Sequence, residues 1–224
     1  MRRVIFLLII SGAGLAILIG LGTWQLQRKA WKEAILATIE ARMAEETGVL
    51  PTEPDPETDR YWPVSAKGYV GNQYLRVLIS NQAFGPSYRI VSAFEVDGRN
   101  VMLDRGVIPV DEEPPAGHPE KVEVTGNLHW PDEVDSYTPA PDLENNIWYA
   151  RDVEAMAEAL GTEPVLIVLR EQTFYDTPVR PDPVSTSGIP NNHLQYAITW
   201  FSLAFIWAAM TVYFLRRSRP NPKS

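Results

Sequence analysis

The sequence predicts an α+β membrane protein: two transmembrane helices enclosing one exported domain, built on a mostly antiparallel curled sheet or partial barrel with a short helix. Three observations predict it. Charge-free apolar runs stand at both ends, Val4 to Leu21 and Leu194 to Leu215. Between them, strand-like segments are punctuated by Gly, Pro and Asn/Asp turn pairs. Past residue 47, one stretch of that middle part, Asp152 to Leu160, has the period of an amphipathic helix.

The first run has 18 residues and the second 22. At about 1.5 Å per residue they make helices of about 27 and 33 Å, against a hydrocarbon core of about 30 Å. A cleaved signal peptide competes for the first run, because Arg2 and Arg3 form a basic start and Gly20-Leu21-Gly22 resembles a cleavage site. The run exceeds the ~7–15 apolar residues of such peptides and continues helically, so an uncleaved anchor is the expectation. Gly12, Ala16 and Gly20 recur at four-residue spacing, a small-residue stripe that lets another helix approach closely, the second span being the nearest candidate.

Charge sets the orientation. Arg2 and Arg3 flank the first span and Arg216, Arg217, Arg219 and Lys223 the second, which places both termini in the cytoplasm. All 28 acidic residues lie between Glu33 and Asp182, against 14 basic residues from Arg28 to Arg180, so the exported part carries about −14. Such an acidic exterior disfavours nucleic acid as a partner. The chain has no cysteine, which excludes disulfides, thiolate metal sites and copper relay through Cys pairs. The expected organisation is a cytoplasmic start at 1–3, a first span at 4–23, an exported domain at 24–190, a second span at 193–215 and a cytoplasmic basic tail at 216–224.

Within the exported domain, Trp31, Ile35, Ile39 and Met43 extend the first helix through 24–47, with Gly48 as a stop. Residues 49–60, rich in Pro and acid, read as a linker. Val64 to Val70 and Tyr74 to Ser80 flank Gly71-Asn72, and Tyr88 to Val96 and Asn100 to Arg105 flank Asp97-Gly98, both patterns of hairpins. Val107 to Val110 continues the second pair and Val122 to Leu128 adds a strand, with proline-rich loops at 109–119 and 131–141. Asp152 to Leu160 is a helix ended by Gly161, and the β-branched run Val165 to Leu169 is a central strand.

No catalytic set emerges in this domain. His118 and His129 have neither a nucleophile nor a metal ligand at the right spacing and read as surface or packing residues. Asp104-Arg105-Gly106 reads as a bulge or an exposed loop, with an ion pair as its role. An enzyme is not expected.

The second span begins Pro190-Asn191-Asn192-His193-Leu194-Gln195-Tyr196-Ala197-Ile198-Thr199-Trp200. Asn191 and Asn192 suit helix capping. His193, Tyr196, Ala197 and Trp200 fall at i, i+3, i+4 and i+7, so imidazole, phenol, a small gap and indole share one face at the membrane edge. Trp24, Gln25 and Arg28 lie at about the same depth on the first helix. An ionisable group there is a functional candidate. Two readings of His193 stand: a helix-end anchor, or an axial ligand for haem iron, with Tyr196, Ala197, Trp200 and Trp24 around the porphyrin and Arg28 on its propionates.

The chain resembles the Surf1 family, assembly factors of haem-copper cytochrome c oxidase. The resemblance is carried by Gly22-Thr23-Trp24-Gln25-Leu26-Gln27-Arg28 with Trp31-Lys32, by Asp104-Arg105-Gly106-Val107-Ile108-Pro109, and above all by the stretch from Pro190 to Trp200. Where that family often shows Asn-Arg-Gly-Trp, this chain has Asp104 and Val107. The resemblance implies a role in maturing oxidase subunit I in the bacterial inner membrane, with haem a, or alternatively haem b, bound through His193. It leaves room for contact with the haem a synthesis machinery and with membrane lipid. A haem-free scaffold for a subunit I intermediate is the alternative.

Overall fold

The computed structural model describes residues 2–81, 85–171 and 174–217. Met1 and the tail from 218 to 224, including Arg219 and Lys223, lie outside the described residues, as do the side chains of Arg2 and Arg3. The chain divides into two compact units, one of residues 1–38 with 186–224 and one of residues 39–185.

The first unit is a helix pair. Helix α1 runs unbroken from Arg2 to Met43, and its first part is long and apolar enough to cross a membrane. Helix α3, His193–Arg217, is the other such helix; α2, Val153–Leu160, belongs to the second unit. Their apolar side chains are mostly exposed, Phe6, Ile9, Phe205 and Tyr213 among them, whereas a core helix of a soluble protein would be covered by protein. The exposed surface is apolar all round, as lipid requires.

The second unit is a closed barrel. Its strands are β1 (Gly48–Val49), β2 (Pro63–Asn81), β3 (Gly85–Val96), β4 (Arg99–Pro109), β5 (His118–Leu128), β6 (Ile147–Trp148) and β7 (Leu166–Glu171), with helix α2 (Val153–Leu160) between β6 and β7. Pairings run β2–β3–β4–β7–β5 and return from β5 to β2, so the expected curled sheet closes on itself. Closure removes the open edges that invite aggregation. The ring is antiparallel except for β4 beside β7.

One long strand makes closure geometrically feasible. β2 pairs with β5 through Pro63–Val70 and with β3 through Gly68–Asn81, and its register shifts where it changes neighbours. The hairpin expected at Gly71-Asn72 is not there. Those residues form a bulge between Val70 and Tyr74 within one strand, and Asn72 accepts a hydrogen bond from the Gly117 N–H. A Gly-Asn pair suits a bulge as well as a turn, and the two arms differ in their neighbours. At Gly68 a Cβ would lie 2.0 Å from the Glu95 carbonyl oxygen, so the close approach of the two strands needs glycine. Asp97-Gly98 does form a two-residue hairpin, with φ of 51° and 77°. Positive φ at both positions matches the strand twist.

Helix α2 is bounded as its residues dictate. Asp152 caps it by accepting from the Ala155 N–H, and Gly161 ends it at φ 66°. Its buried face, Val153, Met156, Ala157 and Leu160, packs into the core with Phe94, Leu103, Val124, Leu128 and Ile167. The stretch expected as a linker is tied down: β1 pairs with β2, Leu50 packs against the core, and the Pro51 carbonyl accepts from Arg99.

Strand β4 is buried on both faces because residues 174–185 cover its outer side. Arg105 is the extra residue of a bulge in β4 and is 1% exposed. Its guanidinium grips the buried Asp176 with two nitrogens and also donates to Ser92 Oγ and the Pro115 carbonyl. Gly106, at φ 123°, exchanges places with nothing larger: a Cβ would sit 2.0 Å from the Arg180 carbonyl oxygen. Val107 and Arg180 trade two backbone hydrogen bonds beside it. Asp104, fully buried, receives Arg89 and Arg151, which also hold Asp182 and Glu133. Asp104-Arg105-Gly106 is therefore a buried latch.

The charged chain leaves His129 as a neutral ring tilted against Tyr61, 5.3 Å between centroids. Burial, then the charges of Arg151, Arg60 and Arg89 against the weaker pull of Glu133, push its imidazole down to about 4. Burial pulls the Glu133 carboxyl up, but hydrogen bonds and charge from Arg151 outweigh it and hold it below the usual carboxylate range.

Two predictions follow from this packing. Arg105→Met strands Asp176 as a buried unpaired carboxylate, a change that costs about 3–5 kcal/mol; a drop in the barrel's thermal midpoint, followed by near-UV circular dichroism, is the expected result. For His129 the folded value near 4 lies below the unfolded 6.5. Its contribution is thus complete above about pH 6.5 and is lost as pH falls towards 4, on the order of 3 kcal/mol in all. Denaturant titrations at pH 6.5 and pH 5 should show a steeper loss in the wild type than in His129→Phe.

Candidate functional site

Helices α1 and α3 run antiparallel, and glycine sets how closely they approach. Gly22 is buried, and a Cβ there would stand 2.7 Å from the Phe201 ring. At Gly14 a Cβ would stand 3.0 Å from the Trp207 ring, whose Nε1–H donates to the Ser11 carbonyl at 3.0 Å. Lipid tails are as apolar as leucine, so such helices associate through close packing and hydrogen bonds rather than hydrophobic burial.

The Gly12, Ala16, Gly20 stripe does not make this contact with the second span. Gly12 and Gly20 have nothing within 4 Å of where a Cβ would be. Each precedes a contact residue by two positions, which is about 200° around the helix. Four-residue spacing sets a stripe but not the direction it faces.

At the other end of the same interface lies His193. Its Nδ1 is 2.7 Å from Gln25 Oε1, and Lys32 Nζ donates to the Pro190 carbonyl just before α3 begins. Two hydrogen bonds thus pin the start of α3 to α1. Nε2 of His193 has no hydrogen-bond partner among the described residues, and the ring is half-buried.

Ala197, expected as a gap for a ligand, is 1% exposed and belongs to the helix contact, on the same face as buried Ala204. The small side chain serves the close approach of the helices instead. Trp200 is half-buried, while Tyr196 and Trp24 are 55% and 54% exposed. With about 100° per residue, Trp24 and Arg28 lie to one side of Gln25, and antiparallel α3 turns Tyr196 and Trp200 to that same side. One flank of the pair therefore carries imidazole, phenol and two indoles, open to the surroundings. The Arg28 guanidinium stacks 3.9 Å from the Trp31 ring centroid, which holds a cation on this flank.

Gln25, expected at the depth of His193, has a part in the site that was not expected of it. Its signal was its place in the helix contact. Gln25 follows Ser11, Gly14 and Gly22 along one face, where an apolar or small residue packs at least as well. In the barrel, His118 Nδ1 lies 3.2 Å from the Glu120 carbonyl with its ring edge-on to Phe174, and His129 is the ring packed against Tyr61, so both are packing residues.

A barrel domain inserted between two membrane-length helices, with an imidazole clamped to an amide across the helix pair, defines a class of two-span membrane protein. The SURF1 family model matches residues 13–205. A SURF1-like protein of Monosiga brevicollis is 33% identical over 224 residues, which cover 90% of this chain and 84% of that protein. Surfeit locus protein 1 of Homo sapiens is 28% identical, over 84% of this chain and 72% of its own length, and that of Mus musculus is 27% identical over 84% and 70%. The chain belongs to the SURF1 family.

The contact predicts a specific sensitivity. Gly22→Leu should lower the yield of a short bis-maleimide cross-link between cysteines introduced at Gln25 and His193 several-fold, while Gly20→Leu should leave it unchanged. Equal loss in both would contradict the assigned helix face.

Proposed function

We propose that this chain is an assembly factor for haem-copper cytochrome c oxidase that binds haem a at the outer membrane edge through His193 and delivers it to subunit I or stabilises its insertion. The observation that carries this reading is the His193 ring: one nitrogen is engaged by Gln25 and the other is unpartnered, on a flank with exposed aromatic side chains. A neutral imidazole nitrogen is a standard axial ligand of haem iron. Trp24, Tyr196 and Trp200 are the residues that would bracket a macrocycle, and Arg28, held on Trp31, the one that would meet a propionate.

Haem a is cargo here, and the protein acts by holding and releasing it rather than by catalysis. Its apolar tail makes passage through water costly at about 25 cal/mol per Å² of surface, so a carrier whose site opens sideways to lipid keeps the transfer within the bilayer. Subunit I is the acceptor, the haem a synthesis machinery the donor, and membrane lipid the surroundings of both. The basic residues at the two ends support cytoplasmic termini, with the barrel in the periplasm and the helices in a bacterial inner membrane.

The haem-free scaffold reading has its own support: the Gly12, Ala16, Gly20 stripe faces away from α3 and is free to meet a helix of subunit I. Uptake of haem separates the two. Protein co-expressed with haem a synthesis should purify with a Soret band, and His193→Ala should reduce it to background. Wild-type protein without that band, or His193→Ala with it undiminished, would favour the scaffold.

A further inference from the structure

The contact between His193 and Gln25 decides more than the spacing of two helices. An amide oxygen only accepts, so the ring nitrogen that faces Gln25 Oε1 at 2.7 Å must carry a proton and donate it. A neutral imidazole has one N–H, so Nε2 is then the nitrogen with the bare lone pair. We propose that Gln25 is a positioning residue: it holds His193 as the Nδ1–H tautomer and fixes the ring so that Nε2 is presented to haem iron. The inference rests on the haem reading above, because the tautomer serves nothing without a metal to receive that lone pair.

Three features support it. Gln25 and His193 are 168 residues apart, and each is the other's only side-chain hydrogen-bond partner among the described residues. The Gln25 position lies on the packing face with Gly14 and Gly22, where helix association needs only a small or apolar side chain. A polar residue there is accounted for by the ring it meets. Finally, an oxygen accepting the far N–H of a metal-binding histidine is the usual way such a ring is oriented, and it also makes the ligating nitrogen more basic. The Lys32 bond to the Pro190 carbonyl ties the chain just ahead of α3 to the same helix that carries Gln25.

The experiment uses the full chain in lipid nanodiscs, labelled with ¹⁵N-histidine, the His193 signals being assigned by their loss in His193→Gln. At neutral pH the ligand-free wild type should show a protonated Nδ1 and a bare Nε2. Gln25→Leu should shift the ring towards the Nε2–H tautomer and weaken binding of added haem b by about 10- to 100-fold. Gln25→Glu, which keeps an acceptor at the same place, should restore both tautomer and affinity. A wild-type ring protonated at Nε2 would overturn the proposal, as would a Gln25→Leu variant with unchanged tautomer and affinity. If the tautomer is as assigned but the wild type takes up neither haem b nor haem a, the haem reading itself fails, and Gln25 is a helix clamp alone.

Discussion

Two helices in lipid gain little from merely touching, since leaving one another costs them no exposure to water. What holds α1 against α3 must be close contact and polar pairing, and both depend on glycine. At Gly22 and Gly14 the missing side chain leaves room for the Phe201 and Trp207 rings, and the backbones come near enough for Trp207 to reach the Ser11 carbonyl and His193 to reach Gln25. A larger residue at Gly22 would separate the helices where the imidazole and the amide meet. The local chemistry of His193 is thus a consequence of helix packing several residues away.

The barrel rests on a different constraint. A strand buried on both faces has no water for its polar side chains, yet β4 carries Asp104 and Arg105 in its middle. Each is matched by opposite charge, Arg105 by Asp176 of the covering segment and Asp104 by Arg89 of β3 and Arg151 just ahead of α2. Such pairs contribute modestly when intact and cost several kcal/mol when half-removed, which makes them devices of specificity more than of stability. Their effect is to let residues 174–185 sit in one place only, sealed by Gly106 against Arg180.

Much of this was legible in the sequence because local chemistry decided it. The two apolar spans, the Asp97-Gly98 hairpin, the capped helix from Asp152 to Gly161 and the strand at Val165 to Leu169 each carry their own signal. So did the ion-pair role of Asp104-Arg105-Gly106. The misreadings have a common cause, namely that the deciding partner lies far along the chain. Gly71-Asn72 marks a break in strand geometry, and only the distant β5 makes that break a bulge. Gly12, Ala16 and Gly20 share a periodicity with Gly14, Leu18 and Gly22, and only α3 selects between the faces. Ala197 looked like space for a ligand until the opposing helix filled it. Gln25 was placed at the right depth, but a glutamine in a helix gives no hint of its partner 168 residues away.

The proposed function stands on one bond, that from an imidazole nitrogen of His193 to haem iron at the edge of the membrane. Its most direct measurement is the iron–nitrogen stretching band in the resonance Raman spectrum of ferrous haem-loaded protein, taken with and without ¹⁵N-histidine, in a chain where His118 and His129 are replaced by Gln and Phe. A band that shifts to lower frequency on labelling is the predicted result. A haem-loaded protein whose iron–ligand band ignores the label would contradict it.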